Sequence, residues 1–122
     1  MKVYMTKTFK RWADHNQIKN KRLFHCLDEI ESGNVDANLG ANLYKQRIAL
    51  QGQGKSGGHR VILALKIHDK AFFLYGFSKN AQENLTTKEL KAYKLIAKKF
   101  LAMDEADIQS YINNKVLSEV KK

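Results

Sequence analysis

In KVYMT, Val3 and Met5 alternate with Lys2 and Tyr4, a period of two that predicts a short strand at a sheet edge. From Thr8 to Asn16 the residues Phe9, Trp12 and Ala13 recur at helical spacing, and from Asn20 to Ser32 so do Leu23, Cys26, Leu27 and Ile30. Two short helices follow from that. Cys26 falls in the middle of the second apolar stripe and reads as a small core residue, not a reactive thiol, with His25 as its exposed neighbour. Gly33 is placed to cap the second helix, and NVDANLGANL beyond it is short, polar and loop-like.

YKQRIAL alternates again, with Tyr44, Gln46, Ile48 and Leu50 on one face and Lys45, Arg47 and Ala49 on the other, so two cations share a face. HRVILALKI is longer and more apolar, as suits a central strand, and the turn His68-Asp69-Lys70 leads into AFFLYGF, which predicts an antiparallel hairpin at the middle of the sheet. After SKNAQEN, Thr86-Thr87-Lys88-Glu89 is a capping box, and Leu90, Tyr93, Ile96, Ala97, Phe100 and Leu101 continue it as a helix that packs on the sheet. Asp104 caps one more short helix, and SEVKK reads as a frayed tail. The predicted fold class is therefore α+β. Strands near 2–6, 44–50, 59–67 and 71–77 form one mainly antiparallel four-stranded sheet, with two N-terminal helices and a C-terminal helical segment packed on it, and Val61, Leu63, Leu65, Phe72 and Leu74 supply core.

Composition adds charge to this picture. The 122 residues fit a single domain, 1–122, with one core and no internal repeat or proline. Lysine and arginine number 22 against 12 aspartates and glutamates, a formal charge of +10 that points to a polyanion partner and opposes self-association. No run of about 18 apolar residues and no N-terminal apolar segment is present, so a soluble, cytoplasmic protein without a membrane partner is expected. One cysteine makes no internal disulfide, and His15, His25, His59 and His68 stand at no zinc-ligand spacing, so neither metal nor cofactor is expected.

The charge is concentrated between Tyr44 and Asn80, where Lys45, Arg47, Lys55, Arg60, Lys66, Lys70 and Lys79 face the single carboxylate Asp69. Within that stretch ALQGQGKS nearly fits the phosphate-binding loop G-x-x-x-x-G-K-[ST], with Ala49 in place of the first glycine. Such a loop needs a helix N-terminus after it to aim backbone N–H groups at phosphate, whereas here Gly57-Gly58 and a β-branched strand follow. The glycines read instead as an inter-strand loop whose lysine can still touch RNA.

The order of strand, two helices, three antiparallel strands and helix, together with K-x-R in YKQRIAL, GQGKSGGHR opening the next strand and YGFSKN closing the third, resembles the RelE/HigB superfamily of bacterial toxins, in its HigB-like branch. The resemblance covers nearly the whole chain. It implies a RelE-like α+β domain that cleaves messenger RNA at the ribosomal decoding site as an mRNA interferase. It also implies a monomeric toxin, silenced in a hetero-oligomer with a cognate helix-turn-helix antitoxin. Carried over by position, Lys45 and Arg47 match the family's strand cations, Lys55 its loop lysine, Arg60 the arginine opening the next strand, and Lys79 the basic residue after the third. Attack of a ribose 2′-OH on its adjacent phosphorus needs proton transfer and cations on the developing charge, not a metal. Arg60, with a planar fork of donors, is the first choice for the scissile phosphate; Lys79 is the candidate for proton transfer, with His59 the other. Against the family pattern, no tyrosine stands free in the tail, since Tyr111 falls within a predicted helix. Two other readings remain open: a non-catalytic basic module that binds RNA or DNA through phosphates, and a protein whose sheet serves as an antitoxin dock.

Overall fold

A computed structural model describes residues 1–50, 54–78 and 85–122. The central strands are buried on both sides, which is why their sequences are continuous apolar runs instead of alternating ones. Val61 to Leu65 on β4 (Gly54–Lys66) and Ala71 to Phe73 on β5 (Lys70–Ser78) are wholly buried. Around them the sheet has six strands in the order β2-β3-β4-β5-β1-β6, with β1 (Lys2–Thr6), β2 (Ala37–Gly40), β3 (Leu43–Leu50) and β6 (Leu117–Glu119) completing it. β1 runs parallel to β5, and the other pairings are antiparallel.

The predicted mainly antiparallel α+β sheet is present, with two strands more than expected. β1 is not an edge strand: it lies between β5 and β6, because the tail expected to fray pairs Leu117, Ser118 and Glu119 with Thr6, Met5 and Tyr4. Leu117 and Val120 are buried there, so apolar contact holds the tail down. The polar stretch expected to be a loop contains β2, which hairpins onto β3 through Ala41 and Asn42, both at positive φ. The segment expected to loop between strands is strand from Gly54 onward, and a strand in that position leaves no helix N-terminus for a phosphate-binding loop.

Three helices start where the sequence supplies a side-chain cap, and α2, which follows Lys19, starts without one. Thr6 accepts from Phe9 N–H ahead of α1 (Lys7–His15), and α2 (Asn20–Glu31) ends at Ser32 with Gly33 at φ +89°. Thr86 and Glu89 form the expected capping box of α3 (Thr87–Leu101), and Asp104 with Asp107 forms one on α4 (Glu105–Asn113). The anticipated single core is two half-cores, one on each face of the sheet. Phe9, Leu23, Cys26 and Ile30 of α1 and α2 meet Val61, Leu63 and Phe73 on one side, while Ala97, Phe100 and Ile108 of α3 and α4 meet Ile62, Ala64 and Phe72 on the other. Among the described residues no helix is long and apolar enough to cross a membrane.

Candidate functional site

Alternation along β4 sends Val61 and Leu63 to the α1–α2 face, so Arg60 shares the α3 face with Ile62 and Ala64. Arg47 on β3 lies directly opposite Arg60, and Lys45 opposite Ile62, which brings the three cations to one patch of one face. On β5 the neighbours of Arg60 and Ile62 are Phe77 and Tyr75. They reach this face through an irregularity: the register shifts between Ile62 and Leu63, so Tyr75 and Phe77 share the cluster of Phe72 and Leu74. Strict alternation would have put Gly76 and Ser78 there instead.

Two like charges opposite each other on paired strands repel unless something sits between them. Asp36, just before β2, does so: its Oδ1 is 3.3 Å from Arg47 Nε and its Oδ2 is 3.7 Å from Arg60 Nε. The Arg60 side chain is only 12% exposed and that of Asp36 18%, against 47% for Arg47, so the pair is buried on the Arg60 side and open on the Arg47 side, and Asp36 Oδ2, facing Arg60, is buried without a hydrogen-bond partner. Asp36 is itself fixed by buried Gln46, whose Oε1 accepts from Asp36 N–H at 2.8 Å and whose Nε2 donates to the Asn34 carbonyl at 2.8 Å. Each arginine's nearest contact with the carboxylate is through Nε, and among the described residues no other acid pairs with the outer N–H groups of either planar fork.

Next to the cations lies an aromatic wall. Tyr75 stacks with Phe77 at 5.9 Å between centroids and meets the tilted ring of Tyr93 of α3 at 5.8 Å. Phe77 is buried and Tyr75 and Tyr93 are half-buried against it, so these rings pack the sheet face. Burial, then Tyr75 and Glu89, push the Tyr93 hydroxyl above its usual range, which keeps it a protonated hydrogen-bond donor at neutral pH.

His59 goes the other way. Adjacent to Arg60 on β4, it faces α1, where its ring meets the edge of Trp12 at 5.4 Å, and its Nδ1 is buried without a hydrogen-bond partner. Burial lowers its pKa, so the ring is neutral at pH 7. Trp12 reaches that position because Gly76 leaves room for it: a Cβ there would collide with the indole. Tyr111, on α4, packs against Phe100 beneath Lys99, and α4 contacts β6 at the edge of the sheet far from β3. The backbone of Lys55 lies at the start of β4, while its side chain and all of Lys79 lie outside the described residues.

The structure thus brings Lys45, Arg47 and Arg60 together and separates His59 from them. Three residues of this region were passed over in the sequence: Asp36, Gln46 and Tyr93. Asp36 left a signal, being the only carboxylate between Glu31 and Asp69 in the most basic part of the chain. Gln46 left one too, as a polar residue on the otherwise apolar face of YKQRIAL.

No curated protein matches the sequence. The family model described as "RelE toxin of RelE / RelB toxin-antitoxin system" matches residues 1–120. That span runs from ahead of β1 to just past β6 and takes in every strand beneath the arginine pair, and the chain belongs to the RelE toxin family.

Proposed function

We propose that this toxin is a ribosome-dependent endoribonuclease that cuts messenger RNA in the decoding site without a metal ion. The observation that supports the reading is the Arg47–Arg60 pair, two guanidinium forks held side by side by one carboxylate with donors to spare. In the reaction a ribose 2′-oxygen bonds to the adjacent phosphorus as the P–O5′ bond breaks. The 2′-proton passes to a base, a proton reaches the departing 5′-oxygen, and the products are a 2′,3′-cyclic phosphate and a 5′-hydroxyl. Arg60 and Arg47 hold the non-bridging oxygens as negative charge builds on them, and Lys45 holds a flanking phosphate. Lys55 adds a further phosphate contact. Lys79 serves as the proton-transfer group, since a lysine among other cations loses basicity. Tyr93 packs on Tyr75 beside this patch, its hydroxyl protonated at neutral pH. His59, on the opposite face against Trp12, supports the strand. The partner that silences the toxin is a helix-turn-helix antitoxin.

A single-turnover assay on programmed ribosomes with EDTA present tests this. Arg60→Ala is expected to lower the cleavage rate by about a hundredfold or more, the usual scale for losing one preorganised donor to a transition-state oxyanion, with a much smaller effect on binding. Lys94→Ala, on the outer side of α3, is expected to stay within a few-fold of the wild type. Equal behaviour of the two variants would misplace the site. Ribosome binding with no RNA cut at all would instead favour the non-catalytic basic module.

A further inference from the structure

Leu95 stands where the fold has no use for it. The side of α3 that packs on the sheet carries Leu90, Tyr93, Ile96, Ala97 and Phe100. Leu95 lies off that stripe and is 69% exposed, the most exposed of the large apolar side chains among the described residues. Lys91 and Lys98 flank it at i−4 and i+3, and Lys94 continues the same row of lysines along one side of it. Together with Ala41, at the tip of the β2–β3 hairpin, they line an open groove of about 490 Å³ whose walls are almost wholly carbon, lysine stems included. Among the described residues no carboxylate pairs with Lys91, Lys94 or Lys98, and α3 as a whole carries Lys88, Lys91, Lys94, Lys98 and Lys99 against the single acid Glu89.

A lone exposed leucine is ordinary, and a lysine-rich helix face is ordinary too. A leucine beside a row of lysines with no acid partner among the described residues, at the edge of a carbon-walled groove, asks for one ligand that satisfies both. Nucleic acid phosphates would account for the lysines and leave the leucine unexplained. We propose that this face of α3 anchors an acidic amphipathic segment of the antitoxin, which seats one large apolar side chain between Leu95 and Ala41 and sets its carboxylates among Lys91, Lys94 and Lys98. The inference rests on the toxin–antitoxin reading of the chain. It goes beyond that reading in placing the anchor on the outer side of α3, at the end of β3 away from Arg47, so that docking and cleavage use different residues.

The probe is the purified product of any small reading frame found beside this gene, titrated against the full-length toxin. Leu95→Asp is expected to weaken binding by about thirtyfold or more, the scale of losing a central apolar anchor. The charge reversal K91E/K98E is expected to weaken it by about tenfold at low salt, with the difference shrinking as salt rises, and K19E/K21E, the same reversal at the start of α2, by no more than about threefold. Each variant should keep the wild-type melting temperature and RNA cleavage. Wild-type affinity in Leu95→Asp would overturn the placement of the anchor and leave the toxin–antitoxin pairing intact. Unchanged partner binding with lost ribosome binding in K91E/K98E would make this an RNA face and overturn it as well. Failure of the wild-type toxin to bind the probe would remove the pairing and the inference together.

Discussion

At the scale of single residues, the neighbours decide what each ionisable group is. Arg47 and Arg60 would repel one another across the β3–β4 pair, and Asp36, whose position is set by Gln46, lies between them and offsets that repulsion. His59, one residue from Arg60, meets neither charge and is governed by burial alone. Burial disfavours the imidazolium, so the folded-state pKa lies below the ordinary 6.5, and as pH falls the unfolded chain takes up a proton first. The contribution of His59 to stability is therefore fully present above 6.5 and is lost as pH falls through the lowered folded value. His59→Phe keeps a ring edge against Trp12 and removes the titration. Between about pH 7.5 and about pH 5 the urea midpoint of this variant should fall less than that of the wild type, and parallel falls in the two proteins would show that His59 does not titrate in this way.

At the scale of elements, the register shift in β5 is what connects the two faces of the sheet. By sending Tyr75 and Phe77 to the α3 side it leaves Gly76 on the α1 side, under Trp12. A methyl at position 76 has no free volume to enter, so Gly76→Ala must displace the indole. A cost of about 1–3 kcal/mol is expected, the range for overpacking a filled core, together with a changed emission of the protein's one tryptophan. Trp12→Ala in the same chain should remove most of that penalty, and a double-mutant cycle with no coupling would mean that the glycine is there for another reason.

The same element scale separates what the sequence disclosed from what it did not. The β4–β5 hairpin and the caps of α3 and α4 were legible because their signals are local: apolar runs joined by a turn, and Thr86 or Asp104 three residues ahead of an acid. The shared face of Lys45 and Arg47 was legible for the same reason, through period two. β2 and β6 are short and polar, and they are strands only because β3 and β1 offer them a ladder, which is information held elsewhere in the chain. Asp36 was hidden likewise, since what brings it to the arginines is the hydrogen bonding of Gln46 across the hairpin. The shift in β5 was invisible because AFFLYGF is apolar on both sides of it.

For the whole molecule, the sheet divides labour between its faces. The α1–α2 side holds a half-core with neutral His59 at its margin, while the α3 side carries the arginine pair and, beyond α3, the lysine face. A net charge of +10 distributed in this way makes association with a polyanion depend on counterion release, which falls with salt along a straight line in log–log form. The proposed contacts Lys45, Arg47, Lys55 and Arg60 correspond to roughly four phosphate contacts. On that basis the affinity for programmed ribosomes should fall by about a hundredfold when monovalent salt is raised fourfold at constant magnesium. The cleavage rate of the bound complex should hardly change, because Arg60 is largely shielded from solvent and acts at contact distance. Lys45→Ala should reduce the slope by about one and leave the bound rate within a few-fold, the signature of a phosphate contact outside the chemical step. An affinity indifferent to salt would mean that the ribosome is gripped by some other surface, and a bound rate falling in step with affinity would mean that the exposed cations take part in the chemistry itself.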